Sequence, residues 1–456
     1  MFAKCDFFPR ETKGGDELRL ACVTTWARYF DERIETMPPA WTHRLEEELL
    51  AEQVSRCYER TTFYRRKLED VGVRPEQVVQ VEDLRQIPFT TKEELRASQA
   101  ESPPYGDFAC ADEIEIVRIH LSSGTTGKPI VMAYTENDLR TSAGVGARAF
   151  WAAGVRPDDT VLHCLSYSFY TGGLSDHAAL EETGAAMVPV GLGQSGRLLD
   201  LWRDLRPTAL FSTITYPLHL ADAASERGLD PRDLGLAKLV VTGEPGGQIA
   251  ATRRRLEDLW GARVGDTYGL SDVWGTLAGE CEERNGLHFS AQDATLVELV
   301  DPESGEPLAL EAGVRGELVF THLRREATPL IRFRSRDIAE IIALECDCGR
   351  TGIRFRVVGR SDDMFRVRGV NVFPSAVEEL LRERGVDRFA IVLERFPVEP
   401  PVKILVDGVN GREEELAEAV RARLEFTCEI AAATLPRSEG KSKVLYRGYA
   451  GETPPA

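Results

Sequence analysis

Long apolar runs are missing from this 456-residue sequence. No stretch approaches the roughly 18 consecutive apolar residues that a membrane-spanning helix needs, so no membrane partner is expected. The first residues, Met-Phe-Ala-Lys-Cys-Asp-Phe-Phe-Pro-Arg, lack the continuous apolar core of a secretory signal. Cysteine is scarce and odd in number: nine, at positions 5, 22, 57, 110, 164, 281, 346, 348 and 428. A disulfide framework would be denser and usually even, so a reducing compartment and a cytoplasmic protein are expected. Positive charge is also in deficit. Lys and Arg number 56 against 74 Asp and Glu, a net charge of −18. Such a chain repels nucleic acid and anionic lipid overall, so an anionic small molecule must be held by local donors working against the global field. Internal repeats and low-complexity tracts are absent as well.

What remains is ordinary globular composition, 43% hydrophobic and 29% charged. The length exceeds what one core usually serves, so at least two domains are expected, and a homodimer stays open as an assembly. Residues 40–100 read as helices: 41–50 is amphipathic and runs on through Val54 and Tyr58. Thr-Thr-Lys-Glu-Glu at 90–94 places a threonine three residues ahead of an acid, a helix-start signature. Beyond this, β-rich runs at 114–119, 160–165, 209–211 and Lys238–Thr242 alternate with helical stretches such as 248–260. That alternation predicts an α/β fold with a largely parallel sheet. Residues 295–345 are richer in strand-like alternation. A compact α+β tail then follows: 370–373 extended, a helix from Pro374 to about Arg384, strands at 389–394 and Val402–Val406, and a helix through Leu424. The boundaries read as a large α/β domain over 1–358 with a β-rich part at about 275–350, a hinge at 359–363, and a small α+β domain over 364–456.

The most informative stretch is Leu121-Ser122-Ser123-Gly124-Thr125-Thr126-Gly127-Lys128-Pro129. Small residues let backbone N–H groups approach phosphate oxygens, hydroxyls donate, and a cation stands nearby. The Walker spacing is absent, with two residues between the glycines and Pro129 in the Ser/Thr slot, so a P-loop NTPase is not expected. Four further segments follow in order: Tyr268-Gly269-Leu270-Ser271-Asp272, Phe333-Arg334-Ser335-Arg336-Asp337, Gly359-Arg360-Ser361-Asp362-Asp363-Met364, and Pro436-Arg437-Ser438-Glu439-Gly440-Lys441. Together the five resemble the signature series of the adenylate-forming superfamily of acyl-CoA ligases, adenylation domains and luciferases. The run from Gly359 through Arg368-Gly369-Val370-Asn371-Val372-Phe373-Pro374 to Glu378, and Phe169-Tyr170-Thr171-Gly172-Gly173-Leu174, look like the phenylacetate–CoA ligase branch.

That resemblance implies a carboxylic acid activated by ATP as an acyl-adenylate and passed to coenzyme A, with a carrier protein or an amine as the alternative acceptor. Ser122, Ser123, Thr125, Thr126 and Lys128 match the loop that holds the β- and γ-phosphates. Gly243, Glu244 and Pro245 match the segment lining adenine, Tyr268 the aromatic stacked on it, and Asp337 the acceptor of the ribose hydroxyls. Arg360 belongs to the same nucleotide site, and the residues' own alternative for Asp337 is a strand-end pair with Arg334. Asp272 stands where the family usually has a Mg²⁺-holding glutamate, and Arg336 where the wider superfamily often has glycine. Lys441 matches the lysine that reaches the α-phosphate and the substrate carboxylate, with Lys443 an alternative cation two residues on. Asp362 matches the hinge and Gly369 the glycine beside the pantetheine tunnel. Phe169, Tyr170, Gly172 and Tyr216 fall in stretches that line the acid site, where aromatic side chains suit an aryl or arylacetic acid. Ser168, Ser212 and His177 are candidates for reading a ring substituent.

Cys281 and His288, with Cys346 and Cys348, form two donor pairs from separate hairpin-like segments. Such pairs can close a Cys₃His tetrahedron around Zn²⁺, and some relatives in the branch carry zinc at such a place; a free dithiol at Cys346 and Cys348 is the alternative. The other cysteines show no comparable pairing.

Overall fold

The computed structural model describes residues 4–6, 23–122, 129–244, 246–368, 370–409, 411–435 and 443–454. A short antiparallel pair, β1 (Lys4–Asp6) and β2 (Val23–Thr25), precedes the helix α1 (Glu32–Glu35). A helical layer follows, α2 (Pro39–Arg60), α3 (Thr62–Glu69) and α4 (Lys92–Glu101). Helix α2 buries Leu50, Val54 and Cys57 along one stripe, as its period requires. The expected helix start is a capping box. Thr91 Oγ1 accepts from the Glu94 N–H, and Glu94 Oε2 accepts from the Thr91 N–H at 2.7 Å.

The expected strand at 114–119 is corrected. Residues Glu113–Glu115 form a 3₁₀ turn, and extended pairing begins only at β3 (Arg118–Leu121), which joins β4 (Val131–Tyr134) in a hairpin. Ile114 is 93% exposed, so this β-branched run has no core face to bury, and the Asp112 N–H instead donates to Glu115 Oε2.

The centre of the molecule is one twelve-stranded sheet. Five strands run parallel: β5 (Thr160–His163), β6 (Ala186–Pro189), β7 (Ala209–Thr213), β8 (Lys238–Thr242) and β9 (Arg263–Leu270). Helix α5 (Glu136–Ala152) leads into β5, and the four crossovers carry α6 (Thr171–Glu182), α7 (Ser195–Leu205), α8 (Tyr216–Ser225) and α9 (Ala250–Trp260), which begins two residues later than expected. The sheet then turns antiparallel through β10 (Trp274–Glu280), β11 (Leu287–Phe289), β12 (Thr295–Val300), β13 (Pro307–Leu308), β14 (Arg315–His322), β15 (Phe333–Ala343) and β16 (Arg354–Arg360). The expected parallel sheet is therefore only half of the real one. Local alternation shows strands and helices, but not that the antiparallel run continues the same sheet.

Beyond residue 360 the chain builds a separate core on β17 (Phe365–Val367), β18 (Val370–Val372), α10 (Pro374–Glu383), β19 (Phe389–Leu393), β20 (Val402–Val406), α11 (Glu413–Leu424), β21 (Cys428–Ala432) and β22 (Leu445–Arg447). The last four strands form a sheet of order β21-β20-β19-β22. Val377, Leu380, Leu381 and Ile404 lie at its heart. Among the described residues no helix is long and apolar enough to cross a membrane.

One buried cation positions the loops above the sheet. Arg325 is fully enclosed between the rings of Tyr134 and Trp274, at 3.6 and 4.9 Å. It donates to the carbonyls of Ala133 at 2.9 Å and Val273 at 3.2 Å. The hairpin β3–β4 and the segment after β9 are thereby tied together.

Candidate active site

The register of β15 and β16 sets Asp337 opposite Arg360, and β9 ends beside them with Tyr268. Tyr268 donates its phenolic proton to Asp337 Oδ2 at 2.6 Å, while Arg360 Nη1 donates to Oδ1 at 2.8 Å. Arg360 turns its other edge to Asp362, with both contacts at 2.9 Å. Burial first, and the Asp337 charge second, push the Tyr268 phenol well above its usual range, so it stays a donor. The alternative pair of Asp337 with Arg334 is not formed. Arg334 instead grips Glu317 with Nε at 3.1 Å and Nη2 at 2.5 Å. Phe355 meets the Tyr268 ring edge-on, with centroids 5.6 Å apart, and so fixes its plane.

Gly243 ends β8 at φ +76, a conformation that a side chain resists. The next residue, Glu244, accepts at Oε2 from the Thr215 N–H and hydroxyl, at 3.2 and 2.9 Å. The loops after β7 and β8 are joined there. Pro245 lies outside the described residues, as do Ser123, Thr125, Thr126 and Lys128. Ser122 closes the neck of that loop. It is buried, its N–H donates to the Ile130 carbonyl at 2.9 Å, and its hydroxyl oxygen accepts from the Ile130 N–H at 3.2 Å. Asp272 is 1% exposed and pairs with Lys92 Nζ at 2.8 Å; its Oδ1 finds no hydrogen-bond partner among the described residues. Nothing in the sequence around Lys92 signals a partner 180 residues away.

The loop between β5 and α6 carries the expected acid-site aromatics. Phe169 is 69% exposed at φ +55, and Tyr170 is also exposed. The Phe169 carbonyl accepts from the Leu121 N–H at 2.9 Å and faces His120 Nδ1 at 3.1 Å, which ties this loop to the strand entering the Ser/Thr segment. Thr171 Oγ1 reaches the Ser271 carbonyl at 3.5 Å. Gly172 stands in the first turn of α6. A Cβ on Gly173 would sit 2.5 Å from the Ser166 carbonyl oxygen, so only glycine lets the helix start this close to the loop. Tyr216 is corrected: it is fully buried in the core with Leu198, Trp202 and Leu220, its hydroxyl 3.2 Å from Ser195 Oγ.

The C-terminal core meets the large sheet mainly through polar contacts. Arg366 pairs with Glu303 at 2.8 Å, Ser375 Oγ donates to the Val358 carbonyl, Arg255 pairs with Asp387, and Arg447 donates to the Asp362 carbonyl. Lys441 and Gly369 lie outside the described residues. Lys443, the alternative cation, is paired with Glu452 at 2.8 Å.

A second cluster lies at the far end of β10 and β11. The donor atoms of Cys281, His288, Cys346 and Cys348 all fall within 4.8 Å of one another. Cys281 Sγ stands 3.8 Å from Cys346 Sγ, and Cys348 Sγ stands 3.5 Å from His288 Nε2. Bonds of about 2.3 Å to sulfur and 2.0–2.1 Å to nitrogen in a tetrahedron imply edges of about 3.8 and 3.5 Å. The four donors therefore have the dimensions of one tetrahedral site. Cys281, then His288, hold the Cys348 thiol well below its usual range, so a thiolate is available there. Among the described residues one other pair of cysteines adjoins. Cys57 and Cys110 are buried neighbours, and Cys110 donates to the Arg56 carbonyl at 3.7 Å.

The AMP-binding enzyme family matches residues 42–322. A phenylacetate–coenzyme A ligase of Thermus thermophilus is 41% identical over 371 residues, 80% of this chain and 81% of that one. Its counterpart in Escherichia coli is 39% identical over 433 residues, covering 90% and 95%. Among solved structures, 2-hydroxyisobutyryl-CoA ligase in its postadenylation state superposes with a TM-score of 0.86 at 30% identity, covering 92% of both chains. The same enzyme in its thioesterification state gives 0.71. The chain therefore belongs to the AMP-binding enzymes of the adenylate-forming superfamily, in the phenylacetate–CoA ligase branch, and is an acid–thiol ligase that works through an acyl-adenylate.

Proposed function

We propose that this enzyme joins an aromatic acid, aryl or arylacetic, to coenzyme A at the expense of ATP. A carboxylate oxygen attacks the α-phosphorus, the bond to pyrophosphate breaks, and an acyl-adenylate forms. The thiol then attacks the acyl carbon, a thioester forms, AMP leaves with the bonding electron pair, and the thiol proton passes to solvent. The observation that carries the reading is the Tyr268–Asp337–Arg360 cluster, a buried carboxylate with two charge-directing partners at the seam of the sheet. There Asp337 accepts the ribose hydroxyls, and Tyr268 covers the base. The 122–128 segment holds the outer phosphates. The exposed pair Phe169 and Tyr170, and the substrate named for the relatives, support an aromatic acid.

Asp272, buried with one oxygen on Lys92 and one unpartnered among the described residues, fits a Mg²⁺ contact. When bound, the ion neutralises phosphate charge. Cys281, His288, Cys346 and Cys348 fit a closed structural Zn²⁺ site, which leaves no open position for catalysis. Lys441 brings the cation to the α-phosphate, on a C-terminal domain of residues 364–456 that swings about Asp362. The separate core beyond residue 360 and the polar character of its contacts support that motion. Gly369 is assigned to the pantetheine tunnel from its motif alone.

Pyrophosphate release and thioester formation across benzoates, phenylacetates, indole acids and 2-hydroxyisobutyrate, with and without CoA, test the reading. An aromatic acid is expected to give both. Activity confined to the aliphatic acid, or pyrophosphate without thioester, overturns it.

A further inference from the structure

His163 is the last residue of β5, at the carboxyl end of the parallel strands, where open α/β sheets place their ligands. Its side chain is fully buried, yet neither ring nitrogen has a hydrogen-bond partner among the described residues. Its own carbonyl and that of Gly172 lie near enough to favour a charged ring slightly, but neither completes a bond. Such a group is costly unless something pairs with it. Burial first, and His177 second, hold its pKa down to about 3, so the ring is neutral and offers one donor and one acceptor together.

The surroundings of His163 are aromatic. Tyr167 lies over it at 4.8 Å between centroids, Phe211 meets it edge-on at 5.3 Å, and His177 stands at 5.9 Å. His177 is already committed, through Nδ1 to the Tyr167 hydroxyl at 2.8 Å and Nε2 to Glu181 at 3.2 Å. Tyr167 is half-buried on the same loop as Phe169 and Tyr170, and its ring carries that loop into contact with His163.

We propose that His163 is a specificity-determining residue of the acid pocket, whose unpaired nitrogens bind a hydroxyl or similar donor–acceptor substituent on the ring of the acid. The Tyr167 ring turns aside as the substrate ring enters over His163. The inference rests on the aromatic-acid reading and narrows it to acids bearing such a substituent. Of the polar groups singled out for this task in the sequence, His177 is held by Tyr167 and Glu181, and the Ser212 hydroxyl donates to the Thr213 carbonyl at 2.9 Å.

The test measures kcat/KM for phenylacetate and its three ring-monohydroxylated isomers with the wild-type enzyme, His163→Phe and His163→Gln. At least one hydroxylated isomer is expected to be preferred by wild type. His163→Phe should lose about fivefold or more of that preference, read as the ratio of kcat/KM for the isomer to kcat/KM for phenylacetate, and His163→Gln, which retains a donor and an acceptor, should keep part of it. If His163→Phe does not fold, His163→Leu is read by the same criterion. Titrating the wild-type imidazole ¹⁵N signals with the preferred isomer and with phenylacetate provides a second readout, in which the former should produce the larger shift because it alone hydrogen-bonds the ring. No preference in wild type, an unchanged ratio in the apolar variant, or identical imidazole shifts overturns the proposal. Failure of every aromatic acid to release pyrophosphate would instead sink the underlying reading.

Discussion

Tyr268 donates to Asp337 across 2.6 Å, joining the end of the last parallel strand to the middle of the antiparallel half of the sheet. The bond crosses 69 residues of chain and fixes a carboxylate that would otherwise rotate. Arg360 takes the other oxygen and also grips Asp362, so one guanidinium touches both the proposed ribose acceptor and the proposed hinge.

Asp337→Asn keeps the shape of the side chain but removes the charge and one acceptor. The variant is expected to lose about a hundredfold in kcat/KM for ATP, read by pyrophosphate release, with the KM for the acid little changed. Tyr268→Phe should lose less than about tenfold, since the ring remains. A threefold or smaller effect of Asp337→Asn contradicts the assignment.

Lys441→Ala separates the two half-reactions. Adenylate formation from acid and ATP is expected to fall by about a hundredfold or more, because charge building on the α-phosphate loses its cation. Thioester formation from a presynthesised adenylate should fall by less than about threefold. Equal losses in both steps exclude the role given to this lysine.

The sites were legible in the sequence where chemistry comes as contiguous motifs. Asp337, Arg360 and Tyr268 each sit in a run that resembles a signature motif of the family, and the structure brings them together. The four metal donors were legible because thiol and imidazole pairs are rare enough for their spacing to mean something. Lys92 and Arg325 were not. Each works through a neighbour distant in sequence, and a lone Lys or Arg carries no local sign of which strand it will face. Tyr216 shows the opposite error: an aromatic in a promising stretch, claimed by the core because α8 turns it inward. The same holds for the sheet, whose antiparallel half is set by long-range register that local alternation does not encode.

Metal analysis of the purified chain should find about one zinc per molecule. Cys346→Ser is expected to lower the melting temperature while the surviving folded enzyme turns over normally, because a closed site supplies folding energy rather than catalysis. Full zinc occupancy in a Cys281→Ala/Cys346→Ala double variant would refute the ligand set.

Asp266 makes a pH-dependent prediction at the other side of the sheet. It is buried beside Glu280, receives the Gln248 amide at 3.1 Å, and shares Arg253 with Glu280, which takes that guanidinium at 2.8 Å. Burial first and Glu280 second push its carboxyl up to about 7 from 3.8. The folded chain thus holds a proton that the unfolded chain has already released, so stability falls as the pH rises from about 4 and levels off above about 7. The full penalty is on the order of 4 kcal/mol. Asp266→Asn keeps an oxygen for Gln248 and removes the titration. Thermal denaturation should show the variant gaining about 5 °C on the wild type between pH 5 and pH 8. Parallel melting profiles for the two proteins across that interval would mean that Asp266 is ionised in the folded state, with Arg253 outweighing both its burial and Glu280.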